Sequence, residues 1–188
     1  MTPQTDVALK EWSLLCKALS DGRQTLLVRK GGIHDKRGEF EVEHREFFLF
    51  PTYYHAKAKD VLPAAQAELE ALQKAAPPPS EVHVGLFAEV ADTYFLKDEK
   101  TIQNLSGLHL YSDEALAMRY HYRKPGVWVV VLRAYTLPKE FVLTNTKEYE
   151  GCVSWVPLEK PLPTAGAKPV LSDAEFEKRR AEIRKAAG

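Results

Sequence analysis

The chain has 188 residues, 45% hydrophobic and 28% charged, enough for one full core and unlike a disordered or fibrous polymer. Lysine plus arginine and aspartate plus glutamate each number 26, so no global field draws the protein onto nucleic acid or a membrane, and any such surface must be a local patch. The longest apolar run, Val127 to Leu132, falls far short of the ~20 residues that cross a bilayer, which excludes a membrane-spanning helix.

Met1 to Val7 is polar and lacks the basic-then-apolar order of a secretory leader, so a cytoplasmic protein with reduced Cys16 and Cys152 is expected. Leu9, Trp12, Leu15, Cys16 and Leu19 recur at three- and four-residue steps and predict a helix from Val7 to Leu19, ended by Asp21-Gly22. Gln24 to Arg29 has strand composition and leads into Lys30-Gly31-Gly32, where paired glycines permit a sharp change of direction. His34 to Gly38 reads as a loop. Glu39 to Phe50 reads as a strand or a bent pair, ended by Pro51. Lys57 to Ala76 is helical in composition, with the regular helix starting at Pro63 and stopped by Pro77-Pro78-Pro79.

Glu81 to Ala91 alternates apolar and polar residues as a strand does, with Thr93 to Leu96 as its hairpin partner. Ser112 caps a helix from Asp113 to Tyr120. Val127 to Leu132 is apolar on both faces and predicts a central strand, and Val153 to Leu158 a shorter one. Pro161 to Pro169 reads as a linker before a charged helix that opens on the capping box Ser172-Asp173-Ala174-Glu175 and runs to Lys185. These elements predict an α+β domain over residues 1–160, with residues 161–188 forming a linker and a C-terminal helix packed on it. The irregular order of helices and strands favours a mixed or antiparallel sheet, either open or closed as a PUA-like barrel.

Several segments carry groups suited to chemistry. Arg29-Lys30-Gly31-Gly32 sets two cations beside backbone N–H groups that can face a phosphate, although the lysine precedes the glycines and no Ser or Thr follows as in a nucleotide loop. Strand alternation would place Glu39, Glu41 and Glu43 on one face, where Arg29, Lys30, Arg45 or a divalent metal could balance them. A bend near Glu43 would let His44 join His55 and His109 in a metal-binding cluster, but no tight ligand spacing accompanies it. Pro51-Thr52-Tyr53-Tyr54-His55 gathers rings at a strand end, where they either stack on bases or cover the core. Arg119-Tyr120-His121-Tyr122-Arg123-Lys124 interleaves basic groups with aromatics, the composition of a single-strand nucleic-acid surface or of a plain solvated segment. Ser154 lacks a Gly-x-Ser-x-Gly elbow.

A run of motifs resembles domain-of-unknown-function family 1802, an uncharacterised bacterial family. It comprises Lys10-Glu11-Trp12, Arg29-Lys30-Gly31-Gly32-Ile33, Phe40 through Glu43-His44 to Phe47, Leu49-Phe50-Pro51-Thr52, His55, His109, Arg119, Leu132-Arg133-Ala134-Tyr135 and Gly151-Cys152-Val153-Ser154-Trp155. That resemblance implies no activity. Gly22 to Arg29 is also similar to the Gly-x-Lys-x-x-Glu-x-Arg signature of ASCH domains, RNA-associated relatives of the PUA fold, departing at Gln24 and Leu27.

The leading expectation is a nucleic-acid-binding module, for RNA or DNA, that presents Arg29, Lys30, Gly31, Gly32, Tyr53, His55, Arg119, Tyr122, Arg123 and Lys124 on one face. The alternative is a metal-dependent hydrolase or nuclease built on Glu39, Glu43, His44, His55 and His109. A protein-partner accessory module is the third reading.

Overall fold

The computed structural model describes residues 1–30, 42–149, 151 and 153–188. Among these residues seven strands form one sheet: β1 (Gln4–Trp12), β2 (Leu26–Arg29), β3 (Glu46–Thr52), β4 (Glu81–Leu96), β5 (Val127–Thr144), β6 (Trp155–Pro163) and β7 (Lys168–Pro169). Among them too, five helices flank it: α1 (Ser13–Ser20), α2 (Pro63–Lys74), α3 (Glu99–Gln103), α4 (Asp113–His121) and α5 (Asp173–Ala187). The strand order is β2-β5-β4-β3-β1-β6, with β7 paired to β5. The sheet is mixed, because β1 runs parallel to β3 while the other pairs are antiparallel. It is an open sheet with β2 and β6 at its edges, so the barrel form of the expected α+β fold does not occur.

Strand periodicity builds two cores, one on each face of the sheet. Phe47 and Leu49 of β3 point into a large core shared with α1, α4 and α5, while Phe48 and Phe50 point into a smaller one on the other face. On β4 the same alternation changes sides. Val82 and Val84 face the smaller core, but Leu86, Ala88 and Val90 face the larger, because the ladder with β5 shifts between Val84, opposite Phe141, and Leu86, opposite Thr136, and this bulge inverts the phase. Gly85 sits in that bulge, where a Cβ would lie 2.9 Å from Glu140 Cγ.

Several elements differ from the sequence expectation. The helix expected over Val7 to Leu19 is a strand followed by a helix: β1 carries Leu9 and Trp12, and α1 carries Leu15, Cys16 and Leu19. Thr93 to Leu96 is not a hairpin partner but the far end of β4, paired to the start of β5 by Leu96 with Val127. β5 is interior as expected, lying between β2 and β4, yet it extends twelve residues past Leu132, to Thr144. Much of the Pro161 to Pro169 linker is strand, belonging to β6 and β7. β3 begins at Glu46 and passes through Pro51 to Thr52; β4 pairs only with its first three residues, so Pro51 has no ladder to break on that side. Residues 39–41 lie outside the described residues.

Other expectations hold. Pro63 opens α2 at its first turn. Ser112 caps α4 through the Ala115 N–H, and Ser172 with Glu175 forms both halves of the capping box of α5. Phe176 and Ile183 of α5 are buried in the larger core. Among the described residues no helix is long and apolar enough to cross a membrane.

Candidate functional site

The two edges of the sheet, far apart in strand order, approach one another through side chains. Arg29 at the end of β2 donates from Nη1 to Lys10 O at 3.1 Å and to Glu11 Oε2 at 2.8 Å, and from Nη2 to Ser154 Oγ at 2.8 Å. One guanidinium therefore bridges β2 to β1 and to the residue that precedes β6. Its planar fork of N–H donors suits this task, since it can serve several acceptors in different directions. Glu11 is almost wholly buried, with 2% of its side chain exposed, and its Oε1 accepts from the Trp12 N–H at 2.8 Å.

Among the described residues no strand lies beside the outer edge of β2. Side chains take its backbone groups instead: the Val28 N–H donates to Tyr111 Oη at 3.2 Å, and Arg119 Nη1 donates to Val28 O at 2.8 Å. Satisfying an edge in this way leaves the seam open to solvent and lined by polar groups.

A cleft of about 430 Å³ occupies this seam. It lies off the carboxyl ends of the parallel strands β1 and β3, whose last paired residues are Trp12 and Thr52. Loops and helix ends commonly mount ligand sites at such strand ends. The lining residues come from five places in the chain. β1 contributes Lys10, Glu11 and Trp12; β2 with the following residue contributes Arg29 and Lys30; β3 with the turn beyond it contributes Thr52 and His55. α4 and its C-terminal cap contribute Met118, Arg119 and Tyr122, and the segment before β6 contributes Gly151, Val153 and Ser154.

The balance of charge is uneven. Lys10, Arg29, Lys30 and Arg119 line the cleft with Glu11 as the one carboxylate among the described lining residues, in a chain of zero net charge. The lysines also hold the borders in place. Lys10 Nζ donates to Tyr149 O and, at 3.0 Å, to Gly151 O, whereas Lys30 Nζ donates to Lys124 O and, at 2.5 Å, to Gly126 O. Arg119 is held by two rings, with its guanidinium carbon 4.6 Å from the Trp12 ring centre and 4.9 Å from that of Tyr111. Such cation–π contacts restrain the guanidinium while leaving donors for hydrogen bonds.

The family model for the domain of unknown function DUF1802 matches residues 8–182. The chain belongs to that family. Crystal structures of ASCH from Zymomonas mobilis are similar to it. ASCH itself has 11% identity and a TM-score of 0.45, with 93% of each chain covered. A serine-to-alanine mutant of the same Zymomonas mobilis protein has 12% identity and a TM-score of 0.43, covering 96% of this chain and 98% of that one. No curated protein matches.

In this DUF1802 chain the structure brings Arg29, Lys30, His55, Arg119 and Tyr122 to one cleft, out of the residues singled out in the sequence. Tyr53 is half-buried and does not line it, and burial pushes its phenol above the ordinary value. Arg123 and Lys124 are exposed beyond the rim, where Arg123 lies over the Tyr122 ring at 5.1 Å. Arg123 adopts a φ of 60°, a left-handed conformation that turns the chain sharply after α4. Gly31, Gly32, Glu39 and Cys152 lie outside the described residues.

The three histidines of the expected metal cluster sit in different surroundings. His55 is at the cleft, His44 packs edge-on against Trp155 at 5.1 Å, and His109 is buried behind α4 beside a separate cavity of about 350 Å³. Glu43 is exposed and does not line the cleft. Among the described residues no group of three or more His, Cys, Asp or Glu side chains is placed to hold a metal ion. Cys16 is a buried free thiol whose pKa is raised by burial, and it contributes to the larger core.

Sequence reasoning underweighted Lys10, Trp12, Thr52 and Ser154. All four stood in the resemblance motifs, but Lys10 and Trp12 fell within the expected helix, Trp12 on its apolar face. Had β1 been recognised as a strand ending at Trp12, its alternation would have placed Lys10 and Trp12 on the same side.

His109 yields a pH prediction. Both ring nitrogens are buried, and burial lowers the imidazole below its ordinary 6.5, opposed by the Asp113 charge and by the backbone of Tyr111 and of His109 itself. The unfolded chain therefore gains a proton as pH falls through 6.5 that the folded chain resists, and stability falls from there down to the depressed folded value. Denaturant titrations across this range should show the wild type losing more stability on acidification than a His109→Phe variant. Parallel pH profiles for the two proteins would contradict the assignment.

Proposed function

We propose that the seam cleft binds single-stranded nucleic acid, with its cations meeting phosphates and its rings meeting bases. The observation that carries this reading is the convergence of Lys10, Arg29, Lys30 and Arg119 with Trp12 and Tyr122 around one opening, in a chain with no excess charge elsewhere to explain it. Phosphate binding draws on point charges and guanidinium forks, and aromatic faces tolerate any base, contributing ~1–3 kcal/mol per stacked ring. Tyr122 is 41% exposed and Met118 57% exposed at the mouth, so apolar surface is presented to an incoming ligand.

Fluorescence anisotropy with labelled single-stranded RNA and DNA across a salt series tests the reading. The logarithm of the association constant should fall linearly with the logarithm of salt concentration, by about 0.7 for each phosphate engaged. A Lys10→Gln, Lys30→Gln variant keeps N–H donors for the loop carbonyls but removes two charges, and it should reduce that slope by about 0.7 for each lysine that meets a phosphate. Absence of binding at low salt, or a slope unchanged in the variant, would contradict the proposal.

A further inference from the structure

The cations of the cleft are not equivalent. Arg29 is committed across the seam to Glu11, Ser154 and Lys10, and each lysine is committed to backbone carbonyls. Arg119 differs. Among the described residues its guanidinium makes one hydrogen bond, from Nη1 to Val28 O, and no carboxylate pairs with it. It is half-buried, lines the cleft and lies against the rings of Trp12 and Tyr111, which touch each other with centroids 5.7 Å apart. A guanidinium restrained by aromatic contacts, with donors left over, is pre-organised to grasp an anion at reduced entropic cost.

The cleft also limits the size of what it grasps. Its volume of about 430 Å³ falls within the ~300–1,000 Å³ typical of small-molecule sites. Grooves that track a strand instead extend over roughly 4–16 nucleotides per OB fold. We infer that the cleft holds a single nucleotide unit and that Arg119 is the residue that fixes its phosphate, with Trp12 and Tyr122 flanking the base. This rests on the nucleic-acid reading of the cleft and narrows it to one phosphorylated unit, whether a free nucleotide or one residue of a strand.

Isothermal titration of the full chain with a nucleoside 5′-monophosphate, the matching nucleoside and an oligonucleotide lacking terminal phosphates tests this, each against wild type and Arg119→Met. Methionine keeps much of the stem's packing between the rings and removes the charge. The monophosphate is expected to bind wild type, to bind at least about tenfold more tightly than the nucleoside, and to lose about tenfold to a hundredfold in Arg119→Met, the range for charge-assisted hydrogen bonds. Oligonucleotide affinity should fall in the same variant, which identifies a phosphodiester of a strand as a ligand of the same residue. Equal affinity for nucleoside and monophosphate would overturn the inference, and that comparison uses wild type alone, so it stands even if Arg119→Met fails to fold. Oligonucleotide binding without monophosphate binding, or unchanged in Arg119→Met, would overturn the inference and leave the nucleic-acid reading intact. Failure of all three ligands would overturn both.

Discussion

Replacing Arg29 with alanine is expected to lower folding stability by about 3–5 kcal/mol, measured by urea denaturation near neutral pH. The cause is the partner left behind. Glu11 has 2% of its side chain exposed and Arg29 12%, so removing the guanidinium leaves a buried carboxylate without its charge partner. Loss of the bridge would also free β2 from β1 and Ser154, opening the seam that the guanidinium spans. A paired replacement, Glu11→Leu with Arg29→Met, should recover much of the loss, because an apolar pair of similar size avoids burying charge at all. If Arg29→Ala alone stayed within about 0.5 kcal/mol of wild type, the seam bridge would not have the structural weight given to it here. For the same reason Arg29 is a poor probe of ligand binding, since its removal damages the cleft before any ligand arrives.

Tyr111→Ala should be comparably costly, at ~3–5 kcal/mol, and should weaken ligand binding as well. Tyr111 is fully buried, its ring lies 5.7 Å from that of Trp12, and its hydroxyl takes the Val28 N–H. Truncation opens a cavity, orphans that N–H and removes one of the two faces that hold Arg119. Tyr111→Phe separates these effects. It should cost about 1–3 kcal/mol for the unsatisfied N–H while keeping Arg119 in place, so binding should survive. Equal loss of binding in both variants would place the determinant at the hydroxyl rather than at the ring.

How far the sequence could be read depended on which signals were local. Capping residues act within one turn, so Ser112, Ser172 with Glu175, and Pro63 were all legible. Val127 to Leu132 was legible as an interior strand because both of its faces are buried. β1 was not, because residues from a strand and from the helix after it happened to fall at helical spacing. The inversion of β4 at its bulge was also invisible, since its apolar residues keep to even positions on both sides while changing face. At the site, the cations Arg29, Lys30 and Arg119 and the ring of Tyr122 were identifiable as residue types. Their convergence was not, because it depends on two sheet edges that are brought together by side chains, Arg29 above all. The buried pairing of Glu11 and the double-ring grip on Arg119 likewise arise from tertiary contacts between residues distant in the chain.

If nucleic acid binds in the seam cleft, as proposed, Trp12 reports on it directly. The chain has three tryptophans, so replacing Trp128 and Trp155 with phenylalanine leaves Trp12 as the only indole. Titrating that variant with a single-stranded oligonucleotide at low salt, while following tryptophan emission and anisotropy together, gives occupancy and location in one experiment. Quenching of Trp12 that saturates with the anisotropy change, and reverses on adding salt, is the predicted result. Binding seen by anisotropy with Trp12 emission unchanged would put the nucleic acid elsewhere on the molecule and contradict the account.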